Sequence, residues 1–232
     1  MKPRTIMAIG AHIGDMDLAA GPILAQNILD GGESLLVALT PGERGHPRLS
    51  AEEYKTQKVD EAHSFADTIG ASVVVFNEQS DGFLQQDETV TDQLAMLIRE
   101  RKPDLVLAHW PHSMHSDHEN ASHIAQRARF LAGLPGHREN DRDRHGVQQI
   151  LYTENWEDAQ DFEADTFVKI SPEAQRLWTQ AISGQAFARG ETYGFRYIDY
   201  YSAQMIMRGC LASTEFAVAL ASDPFPSMTE LA

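Results

Sequence analysis

Thr5-Ile6-Met7-Ala8-Ile9-Gly10-Ala11-His12-Ile13-Gly14-Asp15 is the stretch on which the fold turns. Thr5 to Gly10 has the length and apolar character of a buried strand, and Asp15 to Leu29 carries apolar residues at helical spacing until Gly31-Gly32 stop it. A strand passing to a helix through a short polar turn is the opening of a β-α-β unit. The pattern then repeats. Glu33 to Leu39 reads as a second strand, and Ser50 with Glu53 is a capping-box signal for a helix through about Ile69, closed by Gly70. Ala71 to Phe76 is a third strand, Asp81-Gly82 a turn, Thr89 to Arg101 a helix, Leu105 to His109 a fourth strand, and Asp117 to Leu131 another helix. This alternation predicts an α/β, Rossmann-like, doubly wound and mostly parallel sheet with helices on both faces. Beyond it, Pro135 to Arg144 reads as a loop, Gln148 to Tyr152 and Thr166 to Ile170 as strands, and Pro172 to Ala188 and Tyr197 to Ala221 as mainly helical.

The 232 residues are expected to form a single domain, 1–232, since no linker-like segment interrupts them. A formal net charge of -15, from 34 acids against 19 Lys and Arg, argues against a nucleic-acid partner, which needs clustered cations. Cys210 is the lone cysteine, which rules out an internal disulfide. The apolar run Ile6 to Ala11 is shorter than a signal-peptide core, and no stretch approaches the ~20 apolar residues of a membrane span. No membrane association and a cytoplasmic location are the resulting expectations.

Two polar clusters sit where strands give way to helices. One is Ala11-His12-Ile13-Gly14-Asp15; the other is His115-Ser116-Asp117-His118. With strand order 3-2-1-4-5, the first and fourth strands are neighbours whose helices leave on opposite faces, and ligands bind beyond the strand ends at that switch point. Topology thus predicts that His12, Asp15 and His118 meet. Two nitrogens and one oxygen suit Zn²⁺, or another divalent metal, and leave a position for water, the arrangement of catalytic rather than structural sites. Such an ion lowers the pKa of water towards ~7 and polarises a carbonyl.

These residues carry a family resemblance. The chain resembles the PIG-L/LmbE-like zinc-dependent N-deacetylases, whose motifs read Ala-His-Pro-Asp-Asp and His-Pro-Asp-His. The likeness extends to Thr40-Pro41-Gly42-Glu43-Arg44-Gly45, to Lys58 with Glu61-Ala62, and to Lys102-Pro103-Asp104. It implies a hydrolase removing an N-acyl group from a small amino-sugar-like substrate, with His12, Asp15 and His118 on the metal, His115 stabilising the oxyanion and Asp117 orienting a neighbouring imidazole. The family's general base is the first Asp of its first motif, and that position here is Gly14. Asp17 is the nearest replacement along the chain, followed by Glu43 and His115. A family member that binds metal without deacetylase activity is the alternative.

Glu43 and Arg44 lie in a Gly-flanked loop, where substrate contact and a solvated ion pair are both consistent with the sequence. Asn155-Trp156-Glu157-Asp158 follows the fifth strand and reads as a surface loop anchored by its Trp. Tyr197, Tyr200, Tyr201, Met205 and Met207 form a stripe suited to core packing or to a homo-oligomer contact. A dinucleotide site is not supported, because Gly10, Gly14 and Gly21 lack the Gly-x-Gly-x-x-Gly spacing.

Overall fold

The computed structural model describes residues 2–138 and 141–222. Of the loop read from Pro135 to Arg144, residues 139 and 140 lie outside that description. The strands are β1 (Thr5–His12), β2 (Glu33–Thr40), β3 (Ser72–Val75), β4 (Leu105–His109), β5 (Gln149–Thr153), β6 (Thr166–Ile170) and β7 (Phe216–Ser222). They form one sheet in the order β3-β2-β1-β4-β5-β7-β6. The first five are parallel, in the order expected, and β7 runs antiparallel to both β5 and β6.

The central strands β1, β2 and β4 are almost wholly buried because both faces of the sheet are covered there, as parallel sheets require, whereas the edge strand β6 alternates between half-buried and exposed residues up to its buried end. Alternate residues of one strand serve different cores. Ile6, Ala8, Leu105, Leu107 and Leu151 face one, with Ile23, Phe65 and Trp178. Met7, Ile9, Val106, Ala108 and Ile150 face the other, with Leu94, Ile98 and Ile124. The helices supplying these layers are α1 (Asp15–Ala19), α2 (Gly21–Leu29), α3 (Ala51–Ile69), α4 (Glu88–Arg101), α5 (Ser116–Gly133), α6 (Pro172–Ile182) and α7 (Tyr197–Leu211). The Ser50/Glu53 capping box forms in both directions, and Gly70 ends α3 in the left-handed conformation at φ 82°.

Two expectations are corrected. The helix read from Asp15 to Leu29 is broken at Ala20, because Pro22 has no N–H to continue the ladder. Gly21 at the break leaves room for Trp178, whose Cδ1 would stand 2.7 Å from an added Cβ. The segment Tyr197 to Ala221 is not one helical stretch. Ser213, at φ 55°, ends it, and Phe216–Ser222 threads between β5 and β6 as a strand with a buried centre. The predicted stripe on α7 is also divided: Tyr201 and Met205 are buried, whereas Tyr200 and Met207 are exposed. No helix among the described residues is long and apolar enough to cross a membrane.

Candidate metal centre

β1 and β4 are adjacent, so His12 at the end of β1 and His118 in the first turn of α5 converge at the switch point of the sheet. Asp15, the first residue of α1, lies between them. Its Oδ2 accepts the His12 backbone N–H at 2.7 Å and stands 3.3 Å from His12 Nδ1 and 3.6 Å from His118 Nε2. The three donor atoms lie within 4.8 Å of one another. The other nitrogen of each ring is held by a carboxylate: His12 Nε2 by Asp117 Oδ2 at 3.2 Å, and His118 Nδ1 by Asp158 Oδ1 at 2.8 Å. Carboxylates behind the imidazoles fix the tautomer, leaving the lone pairs of His12 Nδ1 and His118 Nε2 towards Asp15. This donor set fits Zn²⁺ in number, type and tautomer.

Electrostatics supports that assignment. Burial and the neighbouring His109 hold His118 below the usual imidazole range, so it stays neutral. Burial opposes ionisation of Asp15, but His118, His12 and a hydrogen bond from His109 more than compensate and keep it well below the usual carboxylate range. His12 is likewise opposed by burial, yet Asp15 and hydrogen bonds to Asp117 and Asp81 raise it well above its ordinary value. That proton is the one a cation would displace.

Sequence reasoning missed His109 and Asp158. His109, the last residue of β4, is fully buried and stacks on His118 at 4.0 Å between centroids. Its Nδ1 lies 2.7 Å from Asp158 Oδ2, and its Nε2 is 3.1 Å from both Asp15 Oδ2 and the backbone N of Ala11. The charge of Asp158 and the two carboxylate hydrogen bonds outweigh burial and raise His109 to about 9. Both residues stand at the carboxyl ends of adjacent strands, the same signal that nominated His12.

A cavity of about 460 Å³ opens over the cluster, floored by His12, Asp15 and His118 and walled by Trp156, Phe195 and Tyr197. His115 and Asp117 are both at the site. His115 lines the cavity, its ring 4.8 Å from that of His118, while Asp117 lies beneath, bound to His12 and to the Gly82 N–H. Asp17 is turned away. Its carboxylate accepts from Gln185 Nε2 at 2.7 Å and from the Gly14 N–H at 3.2 Å, and it does not reach the cavity. Glu43 and Arg44 stand behind Asp81 rather than in the cavity. Glu43 accepts the Asp81 N–H at 3.3 Å, Asp81 accepts the Arg44 N–H at 3.0 Å, and the Arg44 guanidinium lies over Phe83.

Two carboxylates at the mouth were not in the expected set. Asp81 Oδ1 is 3.2 Å from His12 Nε2, and Glu157 Oε2 is 3.9 Å from His118 Nε2. Burial, with Asp15 and Asp158 nearby, raises Glu157 to about 7. Among the described residues Lys58 is the one Lys or Arg in the cavity lining, and its ammonium already donates to the Ile13 carbonyl under the Phe187 ring. Gly14 adopts φ 106°, and a Cβ there would collide with the Phe187 ring.

Fold and site together define an α/β protein with an open set of metal donors at the strand ends. The chain belongs to the PIG-L family: the family model described as GlcNAc-PI de-N-acetylase matches residues 7–129. This is an enzyme family, and the chain is similar both to deacetylases and to a hydratase. It is 23% identical to 4-oxalmesaconate hydratase of Pseudomonas putida over 98% of its own length and 92% of that protein's. The crystal structure of GalB, the 4-carboxy-2-hydroxymuconate hydratase of P. putida KT2440, superposes with a TM-score of 0.88, 25% identity and 99% coverage of each chain. N,N'-diacetylchitobiose deacetylase of Pyrococcus horikoshii shares the fold at TM-score 0.78 and 18% identity, over 95% of this chain and 84% of that one.

Proposed function

We propose that the protein is a divalent-metal enzyme, zinc being the best match to its donors, that uses water to remove an N-acyl group from a small, uncharged, sugar-like molecule. His12, Asp15 and His118 would hold the ion, which supplies a lowered water pKa and a polarised acyl oxygen when bound. His115, on the cavity wall, would hydrogen-bond the developing oxyanion, and Asp117 would orient His12. The base passes to Glu157, because Asp17 is buried away from the cavity and Glu43 is engaged by Asp81. Glu157 would take a proton from the attacking water and return it to the departing nitrogen.

The observation that carries this reading is the charge of the cavity. Asp15, Asp81 and Glu157 line it, and Lys58, the one Lys or Arg among its described lining residues, is spent on a backbone carbonyl. Such a lining suits a neutral amide and an ammonium product, and opposes a polyanion. A second reading, hydration of an unsaturated carboxylic acid, is favoured by Gly14, which supplies no carboxylate, and by a full-length likeness, in sequence and in structure, to a P. putida hydratase.

The test has two parts. Dialysed protein is expected to retain about one divalent ion by elemental analysis and to lose it in His12→Ala, Asp15→Ala and His118→Ala; retention in all three would remove the ligand assignment. Metal-loaded protein is then offered N-acetylated amino sugars, with acetate release measured, and 4-carboxy-2-hydroxymuconate, with ultraviolet absorbance followed. Acetate release supports the first reading. Loss of the diene absorbance without acetate release replaces it with the second.

A further inference from the structure

The His12 ring faces donors on both of its edges. Nε2, the nitrogen turned away from Asp15, lies 3.2 Å from Asp81 Oδ1, and a ring nitrogen of His115 completes a group whose donor atoms are all within 4.8 Å of one another. Ligands bound at ~2.0–2.1 Å in a tetrahedron are themselves about 3.3 Å apart, so the His12–Asp81 spacing already matches one edge. We propose that His12, Asp81 and His115 form a second divalent-cation site, alternative to the first, and that an ion there withdraws His12 from the catalytic set.

Three features separate this group from a chance cluster. It is open, since all three side chains line the cavity. The buried group His109, His118 and Asp158 meets the same distance criterion, but Asp158 already engages an Nδ1 of each imidazole and His109 does not reach the cavity. The donors are also held in place. Asp81 Oδ2 accepts the Arg44 N–H, the Asp81 N–H donates to Glu43, and the next N–H, of Gly82, donates to Asp117 at 2.7 Å. His115 Nδ1 accepts the Asp117 N–H at 3.2 Å, which leaves Nε2 as the free donor atom. The surroundings are anionic as well, because Asp117 and Glu43 flank Asp81.

The two sites exclude each other for a chemical reason. A neutral imidazole offers one lone-pair nitrogen. The first site takes His12 Nδ1 while Nε2–H donates to Asp117; the second takes Nε2 and requires the opposite tautomer. The second is the weaker, because Asp81 and His115 are only half-buried and Asp117 must release His12. An ion that survives dialysis therefore reports the first site, and the second is read in protein from which the first has been removed. This inference rests on the proposed metal reading only for the role of the first site.

Co²⁺ titration followed by calorimetry and visible absorption tests it. Asp15→Ala/His118→Ala, which lacks the first site, is expected to bind one Co²⁺, and adding Asp81→Asn to weaken that binding at least tenfold. In the otherwise unaltered chain the shared imidazole admits one ion at a time, so Asp81→Asn should leave the dialysis-resistant ion in place. A folded double variant that binds no Co²⁺, or binds equally well with Asp81→Asn, overturns the proposal. Should circular dichroism show the double variant unfolded, His118→Ala and His118→Ala/Asp81→Asn take its place. A folded His118→Ala protein that binds no Co²⁺, or binds it equally well with Asp81→Asn added, overturns the second site whatever becomes of the first.

Discussion

The inner and outer walls of the cleft are held by different means. On the inner wall His109 and Asp158 are sealed from solvent, His118 is nearly as buried but floors the cavity, and the two stacked imidazoles share one carboxylate. On the outer wall Asp81, His115 and Glu157 are half-buried and project into the cavity. The contrast is one of labour. Groups that fix ligand geometry must be locked by their own partners, whereas groups that meet a substrate need open valences and some freedom.

Removing the shared carboxylate breaks this comparison most directly. Asp158→Ala leaves two buried imidazoles without their acceptor, and loss of one partner from a buried ionic pair costs about 3–5 kcal/mol. Metal affinity should fall roughly 10–100-fold with loss of the orienting group. Urea unfolding of chelator-treated protein and competition with a chromophoric chelator read the two effects. Asp81→Ala, on the outer wall, should cost less than about 1 kcal/mol by the same unfolding measurement, as partly exposed ion pairs do. If the two variants prove equally unstable, the division between walls is wrong.

Gly14→Asp comes next in size and probes the floor between the walls. The substitution looks like a restoration of the family's base, yet the backbone is at φ 106° and Phe187 occupies the space. A non-glycine residue in such a conformation costs roughly 1–3 kcal/mol, before the clash is counted. Gly14→Asp is therefore expected to lower stability and not to raise acetate release. Adding Phe187→Ala should recover part of the loss, a non-additivity expected of side chains in contact. A single variant as stable as the parent and more active would show that the base position is simply vacant.

The parts of this architecture that were readable are those in which local pattern and tertiary environment agree. β1 and β2 are apolar runs buried on both faces, and the Ser50/Glu53 cap announces α3 without outside help. The meeting of His12 with His118 followed from strand order alone. β7 was hidden because Phe216-Ala-Val-Ala-Leu-Ala-Ser is an Ala-rich apolar run, which periodicity does not separate from a helix. It is a strand because β5 and β6 leave a gap that only a paired backbone satisfies. Asp158 was passed over for a different reason. The indole of Trp156 made its segment look like an anchored loop, and nothing in the chain marks which of the neighbouring acids turns inward. Asp81, in an Asp-Gly turn, had the same disguise.

Glu157 offers a smaller change in stability than Asp158 or Gly14 but the sharpest contrast, because stability and activity should move in opposite directions. Burial, followed by the charges of Asp15 and Asp158, raises this carboxyl from its ordinary 4.5 to about 7. Between those two values the folded state binds more protons than the unfolded chain, so the residue's contribution turns unfavourable as pH rises through the window and stays so above it. Glu157→Gln carries no charge to bury. In chelator-treated protein it should be more stable than the parent at pH 8, by about 1–2 kcal/mol once partial exposure is allowed for, and no different at pH 4. The metal-loaded variant, if Glu157 is the base, should lose ~10²–10⁴-fold in rate while keeping its ion. A gain in stability with a loss of turnover is what a strained functional group on the outer wall produces, and Asp158→Ala on the inner wall should lose both. Should Glu157→Gln leave the rate unchanged while still stabilising the fold at pH 8, the carboxyl is a bystander, and His115 inherits the proton transfer.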